Sequence, residues 1–184
     1  MALTPTTSIS LDFKAPDFTL PEPRTQKSVS LKEAKGEKGT LVIFMCNHCP
    51  YVIHIIEELV QLTNDYKNKG ISVVGINSND VENYPADSPE KMVAWAEEHN
   101  FPFPYLFDES QEVAKAYDAA CTPDFSLFDS DLKCVYRGRL DGSRPGNGVP
   151  VTGEDLRAAL DALLKDQPIP APQLPSMGCN IKWK

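Results

Sequence analysis

Two cysteines with two residues between them, Cys46 and Cys49, enclose Asn47 and His48 and are followed by Pro50. A thiolate is both the nucleophile of disulfide exchange and a metal ligand, so the spacing alone supports two chemistries. The flanking residues favour the first. Thr40-Leu41-Val42-Ile43-Phe44-Met45 is an apolar run rich in branched side chains, suited to a central strand buried on both faces. Beyond the pair, Val52, Ile55, Ile56, Leu59, Leu62 and Tyr66 recur at helical spacing until Gly70 stops the pattern. A strand end that runs into a helix N-terminus sets Cys46 beside unpaired N–H groups and the positive end of the helix dipole. Both stabilise a thiolate. Pro50 belongs in the first helical turn, so the helix is expected to begin near Asn47 or His48. His48, if charged or hydrogen-bonded, would stabilise the Cys46 thiolate further and make the disulfide more oxidising.

The mechanism these residues suggest has two steps. Cys46 attacks a substrate disulfide, and Cys49, deeper in the helix, resolves the mixed disulfide. Metal binding is the competing reading. Zinc usually takes four ligands from two pairs, and this chain has no second Cys-x-x-Cys. Cys121, Cys179, His48 or His54 could complete such a site, and a metal-binding or redox-sensing module is the non-enzymatic alternative. Exchange without metal or organic cofactor is the reading the pair supports best. Steady turnover of hydrogen peroxide by Cys46, as in a thiol peroxidase, is the alternative activity.

The rest of the chain must position this pair. Residues 71–76 read as a second buried strand, which makes strand–helix–strand a parallel unit with a right-handed crossover. Residues 78–88 read as a loop, and Pro89 opens a helix through about Glu98. A short extended piece over 103–107, a short helix over 110–117 and a hairpin from 124–128 to 134–138 follow. A last helix runs from 152 to about 165, with Leu156, Leu160, Leu163 and Leu164 as its apolar stripe. Before residue 39, four prolines confine any strands to edges. The fold expected is one α/β domain over 1–184, with a core of about 10–165 and a Pro-rich tail over 166–184. Its central sheet is mixed and carries helices on both faces.

Thr122-Pro123 precedes the hairpin; on the residues alone it is an ordinary trans proline starting a strand. Ala15-Pro16-Asp17-Phe18-Thr19-Leu20-Pro21, the buried strand leading into the Cys pair, and Thr122-Pro123-Asp124-Phe125 before Leu127-Phe128-Asp129 resemble the redoxin branch of the thioredoxin superfamily. That branch includes the alkyl hydroperoxide reductase/thiol-specific antioxidant proteins and the thioredoxin-like thiol–disulfide reductases. The Cys46–Pro50 segment with Ser143-Arg144-Pro145-Gly146 and the tail Pro175-Ser176-Met177-Gly178-Cys179-Asn180-Ile181-Lys182-Trp183 resembles a bacterial subgroup of it. The resemblance implies a thioredoxin-like fold, a redox-active Cys46/Cys49 pair and a cis peptide bond at Pro123. It also implies that Asn47, His48, Pro50, Thr122 and Pro123 shape the substrate site. The implied partners are a disulfide-containing protein or a small thiol or disulfide, with peroxide as the alternative, and a reductant such as thioredoxin or glutathione. Thioredoxins carry Trp where this chain has Met45, and peroxidatic redoxins carry a Pro-x-x-x-Thr-x-x-Cys signature that is missing before Cys46.

Cys121 precedes Thr122 directly and Cys179 lies on a tail that could fold back over the site. A disulfide or relay between these two is one expectation, and a buried Cys121 with a frayed tail is the other. Cys134 reads as core, His54 as structural, and Arg137 and Arg139 as surface residues. The chain has 184 residues, 41% hydrophobic and 24% charged, with a net charge of -8. Nucleic acid and anionic membranes both select positive surfaces, so neither is an expected partner. The odd count of five cysteines, with no basic or apolar leader, points to a cytoplasmic setting rather than a secreted disulfide framework.

Overall fold

The computed structural model describes residues 3–184. The elements in order are β1 (Leu3–Pro5), β2 (Thr19–Glu22), β3 (Lys27–Ser30), α1 (Leu31–Ala34), β4 (Gly39–Phe44), α2 (Pro50–Tyr66), β5 (Ile71–Asn77), α3 (Pro89–Glu98), β6 (Tyr105–Phe107), α4 (Glu112–Ala116), β7 (Cys121–Thr122), β8 (Asp124–Asp129), β9 (Cys134–Gly138), α5 (Glu154–Leu164) and β10 (Met177–Asn180).

The main sheet has the order β6-β5-β4-β8-β9. Strand β4 is central, parallel to β5 from Gly39 opposite Ile71 to Phe44 opposite Ile76, and antiparallel to β8 from Gly39 opposite Asp129 to Phe44 opposite Asp124. Every residue of β4 is buried, which explains why its sequence is a continuous apolar run rather than an alternating one. Alternation still sorts the side chains. Leu41, Ile43 and Met45 join Leu59 of α2, Met92 of α3 and Leu160 of α5 on one face. Val42 and Phe44 join Leu31 of α1, Ala114 of α4 and Tyr117 on the other. The central sheet is therefore mixed, with helices on both faces, as the sequence predicts. Among the described residues, no helix is long and apolar enough to cross a membrane.

Helix α2 starts later than the sequence reading has it. Pro50 is its first residue and Cys49 its N-cap, with Cys49 extended at φ -72°, ψ 119°. Proline disfavours helical geometry in the residue before it, so Asn47, His48 and Cys49 are excluded from the helix and form a tight bend. Val52 and Ile53 N–H groups close on the Cys49 carbonyl.

The tail is not frayed. Residues 177–180 pair antiparallel with both β1 and β7, in the order β1-β10-β7. Leu3 stands opposite Cys179 and Pro5 opposite Met177 on one side, and Thr122 opposite Cys179 with Cys121 opposite Asn180 on the other. Further along, Lys182 N–H donates to Asn79 Oδ1 at 2.8 Å, and its carbonyl accepts Asp80 N–H and Gln111 Nε2, both at 2.8 Å. Ser176 Oγ donates to the Pro123 carbonyl at 2.7 Å. The extended strand passes so near β7 that a Cβ on Gly178 would overlap the Thr122 carbonyl.

Candidate active site

The C-terminal end of β4 delivers Cys46, and the bend before α2 brings Cys49 back beside it. Both are buried, at 1% and 0% exposure. The Thr122–Pro123 peptide bond is cis, and Thr122 meets both sulfurs. Its hydroxyl lies 3.5 Å from Cys46 Sγ, and its carbonyl accepts from Cys49 Sγ at 3.1 Å. A hydrogen bond also joins Cys46 to Cys49. Chiefly for that reason Cys49 is lowered to about 5 and Cys46 is raised, with burial adding to the rise at Cys46 and opposing the fall at Cys49. The hydrogen bond between the sulfurs favours a shared proton in the reduced pair, and its titration belongs to the pair rather than to either sulfur.

A helix beginning at Asn47 or His48 would set its dipole at Cys46. With the helix starting at Pro50, the helix end lies at Cys49 instead, and Cys49 receives further hydrogen bonds from Thr122 and Cys179. When the shared proton sits on Cys49, the Thr122 carbonyl accepts it and the Thr122 hydroxyl is left to serve a charged Cys46. Both arrangements are wired into the same residue.

Asp87, which the sequence does not single out, is fully buried in a single helical turn over Pro85–Asp87. One Asp87 oxygen accepts Asn47 N–H at 2.8 Å; the other meets His48 Nδ1 at 2.6 Å and Asn79 Nδ2 at 2.8 Å. The Asp87 hydrogen bond raises the His48 pKa against the opposing effect of burial. Tyr84 stacks on the His48 ring with centroids 5.7 Å apart and planes 10° from parallel. Tyr105, from β6, donates to Asn47 Oδ1 at 2.9 Å. Neither a loop aspartate nor a tyrosine within an apolar strand announces such a role in sequence.

Cys46, His48 and Asp87 present donor atoms within 4.8 Å of one another and so could hold a metal ion. His48 Nδ1 is already 2.6 Å from Asp87, so a metal held through that nitrogen and that oxygen would have to part them.

The remaining predicted residues fall in different places. Pro50 is exposed at the start of α2. His54 Nε2 lies 2.6 Å from Ser143 Oγ, beside a small cleft of about 30 Å³ lined by Tyr51, Pro123, Ser143, Arg144 and Met177. Cys134 is core. No disulfide links any of the five cysteines. Cys121 and Cys179 do not form the expected link. Adjacent strand residues point to opposite faces, so Cys179, opposite Thr122, turns to the Cys49 side. Cys121 turns away, with its sulfur 3.9 Å from Thr6 Oγ1. Arg137 is not a surface residue. It is buried, donates to the Tyr117, Asp118 and Thr7 carbonyls and to Ser126 Oγ, and lies 3.7 Å from Asp124. Arg139 pairs with Asp155 at 2.6 Å.

A crystal structure of an uncharacterized conserved protein from Geobacillus kaustophilus superposes with a TM-score of 0.98 at 59% identity, covering 100% of this chain and 97% of that one. The thiol-disulfide oxidoreductase ResA of the same species is 27% identical over 162 residues, 85% of this chain and 80% of its own length. The thioredoxin domain of a thiol-disulfide oxidoreductase from Bacteroides vulgatus matches with a TM-score of 0.60 at 24% identity, over 71% of this chain and 89% of that one; it shows that the fold is thioredoxin-like. The AhpC/TSA family model matches residues 12–137, a span that holds the buried strand, the Cys pair and the cis-proline, and the chain therefore belongs to the AhpC/TSA family.

Proposed function

We propose that Cys46 and Cys49 are the exchanging pair of a thiol–disulfide oxidoreductase. The hydrogen bond between the two sulfurs, with Thr122 serving both, carries this reading. As the shared proton moves to Cys49, Cys46 Sγ attacks one sulfur of a substrate disulfide, and the other half of the substrate leaves as a thiolate. Cys49 then gives up its proton and attacks Cys46, which forms the Cys46–Cys49 disulfide and releases the second half. The substrate gains two electrons and the pair loses two. His48, whose pKa the Asp87 hydrogen bond raises and which has a ring nitrogen within 4.8 Å of Cys46 Sγ, is placed to protonate a departing thiolate. Asp87 is a positioning residue, since it holds Asn47 and His48 without touching the sulfurs.

The substrates we assign are a disulfide in an extended protein segment or a small disulfide, with a thiol reductant of the thioredoxin or glutathione kind restoring the pair. The cleft beside Pro123 is too small to enclose a ligand, which supports a substrate held along the surface, and Asn47, His48, Pro50, Thr122 and Pro123 are the residues we assign to shaping that site. Peroxidase chemistry is the weaker reading: the threonine and proline that position peroxide are missing before Cys46, and Arg137 is engaged with Asp124.

Dithiothreitol-driven reduction of insulin compared with turnover of hydrogen peroxide tests the assignment. The wild-type chain is expected to accelerate insulin reduction at least tenfold over Cys46→Ser. Peroxide consumption with no insulin reduction would overturn the reading.

A further inference from the structure

Cys49 has a thiol neighbour on each side. Cys46 hydrogen-bonds it from the end of β4, and Cys179 does so from β10, with its backbone N–H also directed at the Cys49 sulfur. The position of Cys179 follows from backbone pairing. It stands opposite Thr122, whose carbonyl is 3.1 Å from Cys49 Sγ, and the close approach that Gly178 permits presses the strand against that carbonyl. All three sulfurs are buried, so a thiol beside Cys49 meets little competition from water. Cys121 and Cys134 have no such arrangement: their sulfurs contact Thr6 and the Pro123 and Tyr136 carbonyls.

We infer that Cys179 is a third redox thiol, which converts the Cys46–Cys49 disulfide into a Cys49–Cys179 disulfide and returns Cys46 as a thiol. The inference rests on the reading of Cys46 and Cys49 as an exchanging pair. In the step, Cys179 Sγ attacks Cys49 Sγ, the Cys46–Cys49 bond breaks, and Cys46 leaves with the electron pair. The proton lost by Cys179 ends on Cys46, so the conversion is an isomerisation that needs no outside oxidant or reductant. Burial raises the Cys179 thiol, so its proton leaves only as the Cys46 leaving group can take it up. The result is an oxidised enzyme that still carries its attacking thiol. Such a form can open a second disulfide, including a mispaired one, before any reductant arrives.

The test begins with Cys46→Ser treated with glutathione disulfide, blocked with iodoacetamide and mapped by peptide mass. Cys49 is expected to attack the glutathione disulfide and Cys179 to displace the bound glutathione, leaving a Cys49–Cys179 peptide and two equivalents of glutathione. Alkylation is lost at both positions and kept at Cys121 and Cys134. A variant that retains glutathione on Cys49, or does not react, with Cys179 alkylated, overturns the inference. Oxidised wild-type protein gives an independent measurement. It should yield the Cys49–Cys179 peptide together with alkylated Cys46, and Cys179→Ser should yield only the Cys46–Cys49 peptide. Wild-type protein that shows only the Cys46–Cys49 disulfide while reducing insulin defeats this inference alone; Cys179→Ser protein that forms no Cys46–Cys49 disulfide on oxidation defeats the reading beneath it.

Discussion

The Asp87 carboxylate grips the His48 ring at 2.6 Å while its other oxygen takes the Asn47 N–H, so one buried side chain fixes both residues between the cysteines. The acid comes from a loop 39 positions along the chain. The bend that presents Cys46 is therefore a tertiary construction, not a local one.

Asp87→Asn should lose stability in a pH-dependent way. The folded-state pKa of His48 is raised, so the stabilisation from the charged ring is fully present below the unfolded value, about 6.5, and is lost as pH rises through the folded value. A hydrogen bond to a charged group contributes roughly 1.5–3 kcal/mol. Urea midpoints should separate wild type from Asp87→Asn more at pH 6 than at pH 9. An equal gap at both pH values would show that His48 carries no charge there.

Thr122→Val removes the hydroxyl 3.5 Å from Cys46 Sγ and keeps the side-chain volume. That hydrogen bond favours the thiolate, so the first ionisation of the pair should move up on its loss, and about 1 kcal/mol should slow insulin reduction by roughly fivefold. Thiolate ultraviolet absorbance against pH reads the first effect directly. An unchanged titration would mean that Thr122 acts only through its backbone.

Asp124, 1% exposed beside Arg137, has its carboxyl raised by burial to about 6 from an ordinary 3.8. A raised acid favours the folded state where it is protonated, so this contribution is present below the unfolded value and is lost as pH climbs through about 6. Each tenfold in proton affinity is about 1.4 kcal/mol, so the loss is on the order of 3 kcal/mol. Arg137 keeps four other acceptors, hence Asp124→Asn should fold and should flatten the stability curve between pH 4 and pH 7. A variant whose thermal midpoint still falls across that interval would contradict this account.

Gly178→Ala forces a methyl group against the Thr122 carbonyl. Overpacking of this kind costs about 1–3 kcal/mol. Strand β10 should shift off β7, and Cys49 and Cys179 should become open to alkylation while α5 and β4 stay protected in hydrogen exchange. Unaltered alkylation rates would argue that the strand is not held by that contact.

The main sheet was legible because burial on both faces writes an unbroken apolar run at residues 40–45 and again at 71–76, and because Pro89 and the hairpin at 124–138 mark their own ends. The start of α2 was misjudged by two or three residues, because Pro50 acts on Cys49 before it as well as on the helix after it. Strands β1, β7 and β10 left little trace. They are two to four residues long, they include Pro5 and Gly178, and they are held by pairing with distant segments rather than by their own composition. Asp87 and Arg137 were invisible or misplaced for the same reason. A buried charge is defined by its partners, and Asp87 finds His48 while Arg137 finds Asp124 only once the chain has closed.

Strand β10 emerges from the ribosome after every other described strand, yet it shields the Thr122 side of the sulfur pair. A chain whose core folds before residues 177–182 arrive has an interval in which Cys46 and Cys49 are uncovered on that side and open to oxidants. Arrival of residues 177–182 closes that interval. Pulse-labelling of stalled translation products, released before and after this segment, would reveal when the vulnerability ends.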